Sequence, residues 1–157
     1  MDSCNKNSTP EQEALWARLK ERINRPGSFS VENGMTVTEV KDHWCRGELA
    51  VRPSSLNPRG IVHGGCLCTL MDTVAGVAAC TDGRGCVTLN CSISYLRPAR
   101  DTGKVYCETR LIKGGRSTVV MEAILTDDRD KLVATGTYTF FLLEELAPIL
   151  RGEGRPG

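Results

Sequence analysis

The sequence predicts an α+β domain in which one long apolar helix is enclosed by an antiparallel sheet. Three observations carry that prediction. Residues 64–80, Gly-Gly-Cys-Leu-Cys-Thr-Leu-Met-Asp-Thr-Val-Ala-Gly-Val-Ala-Ala-Cys, are apolar or small on every side, with Asp72 as the only charge. A helix of that kind belongs in a core. Strand-like runs flank it, two before and four after, separated by Gly, Pro and Asp turns. At 157 residues the chain is long enough for one domain with a substantial core.

Composition removes several function classes. A net charge of +1 gives no general attraction to nucleic acid or an anionic membrane. The apolar run is short for a bilayer span and has an acid near its middle, so a membrane helix is not expected. No secretory leader is apparent at the N-terminus, which sets the expectation of a cytoplasmic protein. Eight cysteines (4, 45, 66, 68, 80, 86, 91 and 107) suggest disulfides or metal. Their spacing argues otherwise: there is no C-x-x-C pair, and only two histidines exist to complete a zinc set. Reduced thiols, several of them serving as small buried hydrophobes, are the expectation, with no metal.

The elements follow in order. Residues 1–8 are polar and read as loose. Thr9-Pro10-Glu11-Gln12 has the form of a helix start, with Thr9 as N-cap, Pro10 at the first helical position and Gln12 closing a capping box. Leu15, Trp16, Leu19 and Ile23 continue at helical spacing, and Pro26-Gly27 stops the helix. Residues 35–40 and 44–51 form a predicted hairpin about Lys41-Asp42-His43. The segment 53–60 is a turn-rich entry loop to the long helix. After that helix, strands are predicted over 86–96, 105–112, 117–125 and 132–143 as a meander, with a two-residue Gly114-Gly115 turn joining the second and third. The domain division expected is an N-terminal extension over 1–33, the main domain over 34–143, and a frayed tail over 144–157.

Three polar features converge on the long helix. His63-Gly64-Gly65 stands at its N-terminus, where backbone N–H groups lack helical partners and glycine admits a ligand close to the backbone. Such a place suits an anion or a polarised carbonyl oxygen. Asn57 lies six residues upstream of His63, and Asp72 lies further along the helix. Gly64 and Asp72 are eight residues apart, about 12 Å along an α-helix. One carbonyl cannot be touched by both from a single chain. If the glycine N–H polarises a carbonyl while Asp72 attacks it or activates water, the two come from different copies in a two-fold dimer. Two other readings stand open at this point. Asp72 could be a structural acid satisfied by hydroxyls or an arginine, and His63 could simply fix the loop through a backbone hydrogen bond.

Asn57-Pro58-Arg59-Gly60-Ile61-Val62-His63-Gly64-Gly65, then Thr69-Leu70-Met71-Asp72 and Gly76, resembles the hotdog-fold acyl-CoA thioesterases of the PaaI-like and 4-hydroxybenzoyl-CoA thioesterase type. The likeness continues through Ser94-Tyr95-Leu96-Arg97-Pro98-Ala99 and covers about residues 34–143. It implies the hotdog fold and hydrolysis of an acyl-CoA thioester without a metal or redox cofactor. By this resemblance Asp72 is the catalytic nucleophile or general base, and Gly64, with His63 beside it, polarises the thioester carbonyl. Asn57 positions water or thioester, and Thr88 stands where related enzymes place a water-binding serine. Acid and hydroxyl come from one subunit, asparagine and glycine from the other, in a homodimer that often pairs into a tetramer. Gly65, Arg97, Lys113 and Arg116 are the expected contacts to the substrate and the coenzyme A phosphates. A non-catalytic acyl-CoA sensor and a hotdog dehydratase are the rival readings. The first is disfavoured by the absence of a basic patch in residues 1–33, and the second by the loop motif.

Overall fold

In the computed structural model, which describes residues 8–144, the element order is helix, short helix, two strands, long helix and four strands. Helix α1 spans Pro10–Ile23 and α2 spans Phe29–Glu32; strands β1 and β2 span Met35–Lys41 and Trp44–Ala50. Helix α3 spans Gly64–Ala79, and strands β3 to β6 span Cys86–Tyr95, Lys104–Gly114, Thr118–Asp127 and Leu132–Leu142. The six strands form one antiparallel sheet in the order β1-β2-β4-β5-β6-β3. The hotdog arrangement of a sheet curved about one helix is thus present.

Two glycines fix how closely α3 approaches the sheet. A Cβ on Gly47 would lie 2.7 Å from Val74 Cγ2, and one on Gly136 would lie 2.9 Å from Met71 Sδ. Bare backbone at those points lets the helix side chains rest on the strands themselves. Leu70, Met71, Val74, Ala75 and Ala78 are completely buried beneath it, facing Val105, Met121, Ala123, Leu125 and Phe140 of the sheet. Strand β5 alternates buried and half-buried residues along its whole length, as a strand with one face on the core must.

The N-terminal helix begins as its sequence dictates. Thr9 Oγ1 accepts from Gln12 N, and Gln12 Oε1 accepts from Thr9 N, which completes the capping box around Pro10. Leu19 is buried, with Leu15, Trp16 and Ile23 packed against the core. Trp16 Nε1 donates to Thr81 O at 3.0 Å, and the Asn24 amide bonds both Val37 N and Val37 O. The expectations for residues 1–7 and for the tail from 145 onward lie outside the described residues.

Three expectations are corrected. Strand β3 does not open a meander with β4. It pairs with β6, and only β4-β5-β6 run as consecutive neighbours. The stretch from Leu96 to Gly103 carries the chain from one sheet edge to the interior position beside β2. The β4–β5 connection is also longer than a two-residue turn. The last pair is Gly114↔Val119, three residues, 115–117, lie between the strands, and a register shift falls between Leu111 and Lys113. Neither Gly114 nor Gly115 has the positive φ that a type I′ turn requires. Finally, α3 is not covered on every side by its own chain. Gly65, Cys68, Thr69, Asp72, Thr73 and Gly76 form a half-open strip along one face.

Candidate active site

The N-terminus and the middle of α3 carry different chemistry. At the N-terminal end His63 is the N-cap, and its Nδ1 accepts from Gly65 N at 2.9 Å. Cys66 N and Leu67 N both bond His63 O. Of the first three N–H groups of the helix, that of Gly64 alone has no acceptor among the described residues. The exposed donor at this helix end is therefore a single N–H, aimed along the axis that carries the positive end of the helix dipole.

This geometry separates the roles of the motif. His63 serves the helix as a cap, which was the backbone-fixing alternative. The Gly65 N–H, expected to contact substrate, is occupied by that cap. A Cβ at Gly65 would sit 3.0 Å from His63 Nδ1, so glycine there makes room for the imidazole. The entry loop is held by Asn57. Its Oδ1 accepts from Arg59 N and Ile61 N, Gly60 N donates to Asn57 O, and Gly60 turns the chain at φ +69°. The Asn57 oxygen is thus spent on the loop, and its amide N–H groups remain as donors. His63 N donates to Ser55 O, which clamps loop and helix start together.

A residue that the motif did not single out completes this end. Tyr95, the last residue of β3, donates its hydroxyl to Gly64 O at 2.9 Å. Its ring carbon would lie 3.4 Å from a Cβ on Gly64. Partial burial raises the Tyr95 phenol, with Cys68 and Cys91 adding to the effect, so it stays protonated as a donor. The signal is a hydroxyl-bearing aromatic at the end of a strand in which Val87 and Leu89 are also exposed.

Midway along α3, Asp72 meets Thr88. Thr88 Oγ1 donates to Asp72 Oδ1 at 2.8 Å, from the edge strand to the open strip of the helix. The second carboxylate oxygen has no partner among the described residues. That leaves an acid oriented by one hydroxyl with a free face for water or a carbonyl carbon. Helix α3 is unbroken from Gly64 to Asp72, so the two lie about 12 Å apart in one chain.

The basic candidates divide between the same two places. Arg97 follows Tyr95, where Leu96 N and Arg97 N both bond Val133 O. Lys113 and Arg116 lie at the β4–β5 hairpin, and the row Thr88–Phe140–Val119–Gly114 aligns that hairpin with Thr88. From Cys86 to Tyr95 the strand rises by roughly 30 Å, so Arg97 is far from Lys113 and Arg116 in one chain. All three are exposed. Arg84, which the motif did not indicate, donates to Asp82 and to Arg116 O, joining the loop after α3 to the hairpin.

Comparison with known proteins gives the same answer as the motif. The thioesterase superfamily model matches residues 59–134. A Mycobacterium tuberculosis protein that carries an esterase name is 32% identical over 120 residues, 73% of this chain and 85% of that one. Acyl-coenzyme A thioesterase 13 of Mus musculus is 26% identical over 124 residues, 77% of this chain and 89% of that one. Among solved structures, a Streptococcus pneumoniae thioesterase protein with coenzyme A superposes with a TM-score of 0.68 at 29% identity, covering 72% of this chain and 88% of that one. Variants of that protein have also been solved in which an aspartate or a threonine is replaced by alanine, at positions 16 residues apart. With the six-stranded sheet, its enclosed helix and these likenesses together, the chain belongs to the thioesterase superfamily and is a thioester hydrolase of the hotdog fold.

Proposed function

We propose that the protein hydrolyses acyl-CoA thioesters in a site shared by two copies of the chain. The observation that carries this reading is the Thr88–Asp72 hydrogen bond of 2.8 Å midway along α3, with the uncommitted Gly64 N–H at its N-terminus. A threonine 16 residues after an aspartate is also the spacing of the two positions replaced in the Streptococcus pneumoniae protein. The coenzyme A held by that relative and the acyl-CoA name of the mouse relative support the substrate class.

A second copy is supported by the edge of the sheet. Strand β3 is ten residues long and pairs only with β6, and Val87, Leu89, Tyr95 and Leu96 are exposed on or beside it. A long apolar edge of this kind invites another strand. A copy whose β3 runs antiparallel to this one would bring its Gly64, Asn57 and Arg97 toward this chain's Asp72, Thr88, Lys113 and Arg116. The basic side chains separated in one chain would then rim one pocket and meet the phosphates of coenzyme A. The family resemblance extends this dimer to a pair of dimers in a tetramer. The free thiols suit a reducing compartment such as the cytoplasm.

In the reaction, the partner's contribution of a helix N-terminal N–H draws charge onto the carbonyl oxygen. Asp72, held by Thr88, takes a proton from water as it adds to the carbonyl carbon. The C–S bond breaks, and the departing thiolate recovers the proton from Asp72. Neither a metal nor a redox cofactor is needed for these steps. The test is a hydrolysis screen over phenylacetyl-, hydroxybenzoyl- and short- to long-chain acyl-CoAs, read by thiol release. Release from at least one class, abolished by Asp72→Asn, supports the reading. Binding of acyl-CoA with no release from any would make the protein a sensor instead.

A further inference from the structure

Helix α3 ends and strand β3 begins with a pair of thiols that the reaction above does not use. Cys80 Sγ and Cys86 Sγ are 3.5 Å apart, joined as an S–H···S contact across the Thr81–Gly85 loop. Both are half-buried, with Cys80 one residue past the helix and Cys86 the first of β3. Cys86 Sγ also lies 3.6 Å from Gly76 O, one helical turn beyond Asp72. The loop itself is restrained: Thr81 is buried, Gly83 turns it at φ +92°, and Arg84 is fastened to Asp82 and to Arg116 O. The two sulfurs are held close by the fold.

We propose that Cys80 and Cys86 form a reversible oxidation site, closing to an intramolecular disulfide when the protein meets hydrogen peroxide. The two thiols differ in the way such a site requires. The hydrogen bond shared with Cys86 lowers the Cys80 thiol, against the opposing effect of its burial. Cys86 is raised by that same bond, by burial and by the negative charges of Cys80, Asp72 and Asp82. In this proposal Cys80 is the attacking thiolate and Cys86, held also against Gly76 O, the resolving thiol. Cys80 sulfur takes one peroxide oxygen to give a sulfenic acid and hydroxide. Cys86 sulfur then attacks the Cys80 sulfur, the S–S bond forms, and the sulfenic oxygen leaves as water with the proton of Cys86. Two thiols lose two electrons and two protons, and one peroxide becomes two waters.

Closure reaches Asp72 at the middle of the helix. The sulfurs move from 3.5 Å to about 2 Å apart, and the Cys86 contact with Gly76 O is lost. Thr88 is two residues along β3 from Cys86, on the same face, so the hydroxyl that orients Asp72 shifts with it. Formation of the disulfide does not depend on the proposed reaction. Its effect on rate rests on that reading.

The full-length protein is treated with hydrogen peroxide, capped with N-ethylmaleimide and digested with trypsin, which cuts after Arg84 between the two cysteines. Tandem mass spectrometry should find the Cys80 and Cys86 peptides linked, with two hydrogens lost, and separated again by dithiothreitol. Linkage of a different pair, or Cys80 oxidised to sulfinic acid with Cys86 still free, overturns the site. Acyl-CoA hydrolysis by the linked protein should fall by about tenfold, since displacements near 1 Å already cost that much or more. It should recover with dithiothreitol, while Cys80→Ser resists peroxide. A linked protein with unchanged rate overturns the coupling to Thr88. The mass readout needs no turnover, so failure of the disulfide and failure of the thioesterase reading are told apart.

Discussion

Thr88 Oγ1 donates a hydrogen bond of 2.8 Å to Asp72 Oδ1, joining the edge strand of the sheet to the open face of the central helix. In the proposed reaction the hydroxyl is a positioning group, and the carboxylate is the group that meets substrate. Thr88→Ser should keep most of kcat, because the donor stays. Thr88→Val, which preserves shape and removes the donor, should lower kcat by about tenfold to a hundredfold with KM little changed. Loss of that one bond should cost about 1 kcal/mol of stability or less. Steady-state kinetics beside urea unfolding checks both halves.

The shared site makes a quantitative prediction about mixed subunits. Asp72→Asn should lower kcat by about 10²–10⁴, the range of a lost general base, while the fold and dimer persist. Gly64→Pro removes the uncommitted N–H at the first helical position, where proline is well tolerated. His63 before it already has an extended backbone, φ −61° and ψ 133°, which suits the residue preceding a proline. That variant should lose about 10²–10³ in kcat. Unfolding and refolding the two inactive variants together should restore about one quarter of wild-type activity, since half the dimers are mixed and each has one intact site. No recovery would place Asp72 and Gly64 in the same chain's site.

The cap predicts a different pattern at His63. Its Nδ1 accepts from Gly65 N, a task that asparagine also performs. His63→Asn should keep both stability and most of the turnover. His63→Ala should lose about 1 kcal/mol in denaturant unfolding. A large loss of kcat in the asparagine variant, at normal stability, would show direct acid–base work by the imidazole.

The cysteines should label in a definite order as pH rises. Cys80 is lowered by the Cys86 hydrogen bond, so its thiolate, the reactive form, appears at lower pH than an ordinary thiol's. Cys66 and Cys91 are raised, first by burial. Cys45 is pushed up to about 12 and Cys107 well above the usual range, again by burial. Iodoacetamide at mildly alkaline pH, followed by peptide mapping, should modify Cys80 before the other four. Earlier labelling of Cys66 or Cys91 would contradict the order.

Most of the fold could be read from the residues because local signals and burial agreed. The Thr9–Gln12 box, the turn at Asp42-His43 and the apolar run from Gly64 each express one physical rule, and each appears where that rule put it. Strand order was not legible. Pairing of β3 with β6 is decided by long-range contacts that leave no periodic mark in either strand. Of the site, the residues of the motif were named, but their division of labour was hidden. That Gly65 gives its N–H to His63 while Gly64 keeps its own depends on one side-chain rotamer at the cap. Tyr95 and Arg84 escaped notice for a similar reason, since their partners are the backbone oxygens of Gly64 and Arg116.

Thr81 joins parts of the chain that are remote in sequence. Its hydroxyl accepts from His43 N and donates to Ala78 O, while its carbonyl accepts from Trp16 Nε1. One buried threonine therefore binds the first helix, the first hairpin and the exit of the central helix into a single knot. The residues of helix α1 are consequently a wall of the domain. Without them, Thr81 O would lose its indole donor and the loop between Cys80 and Cys86 would lose the side that holds it shut.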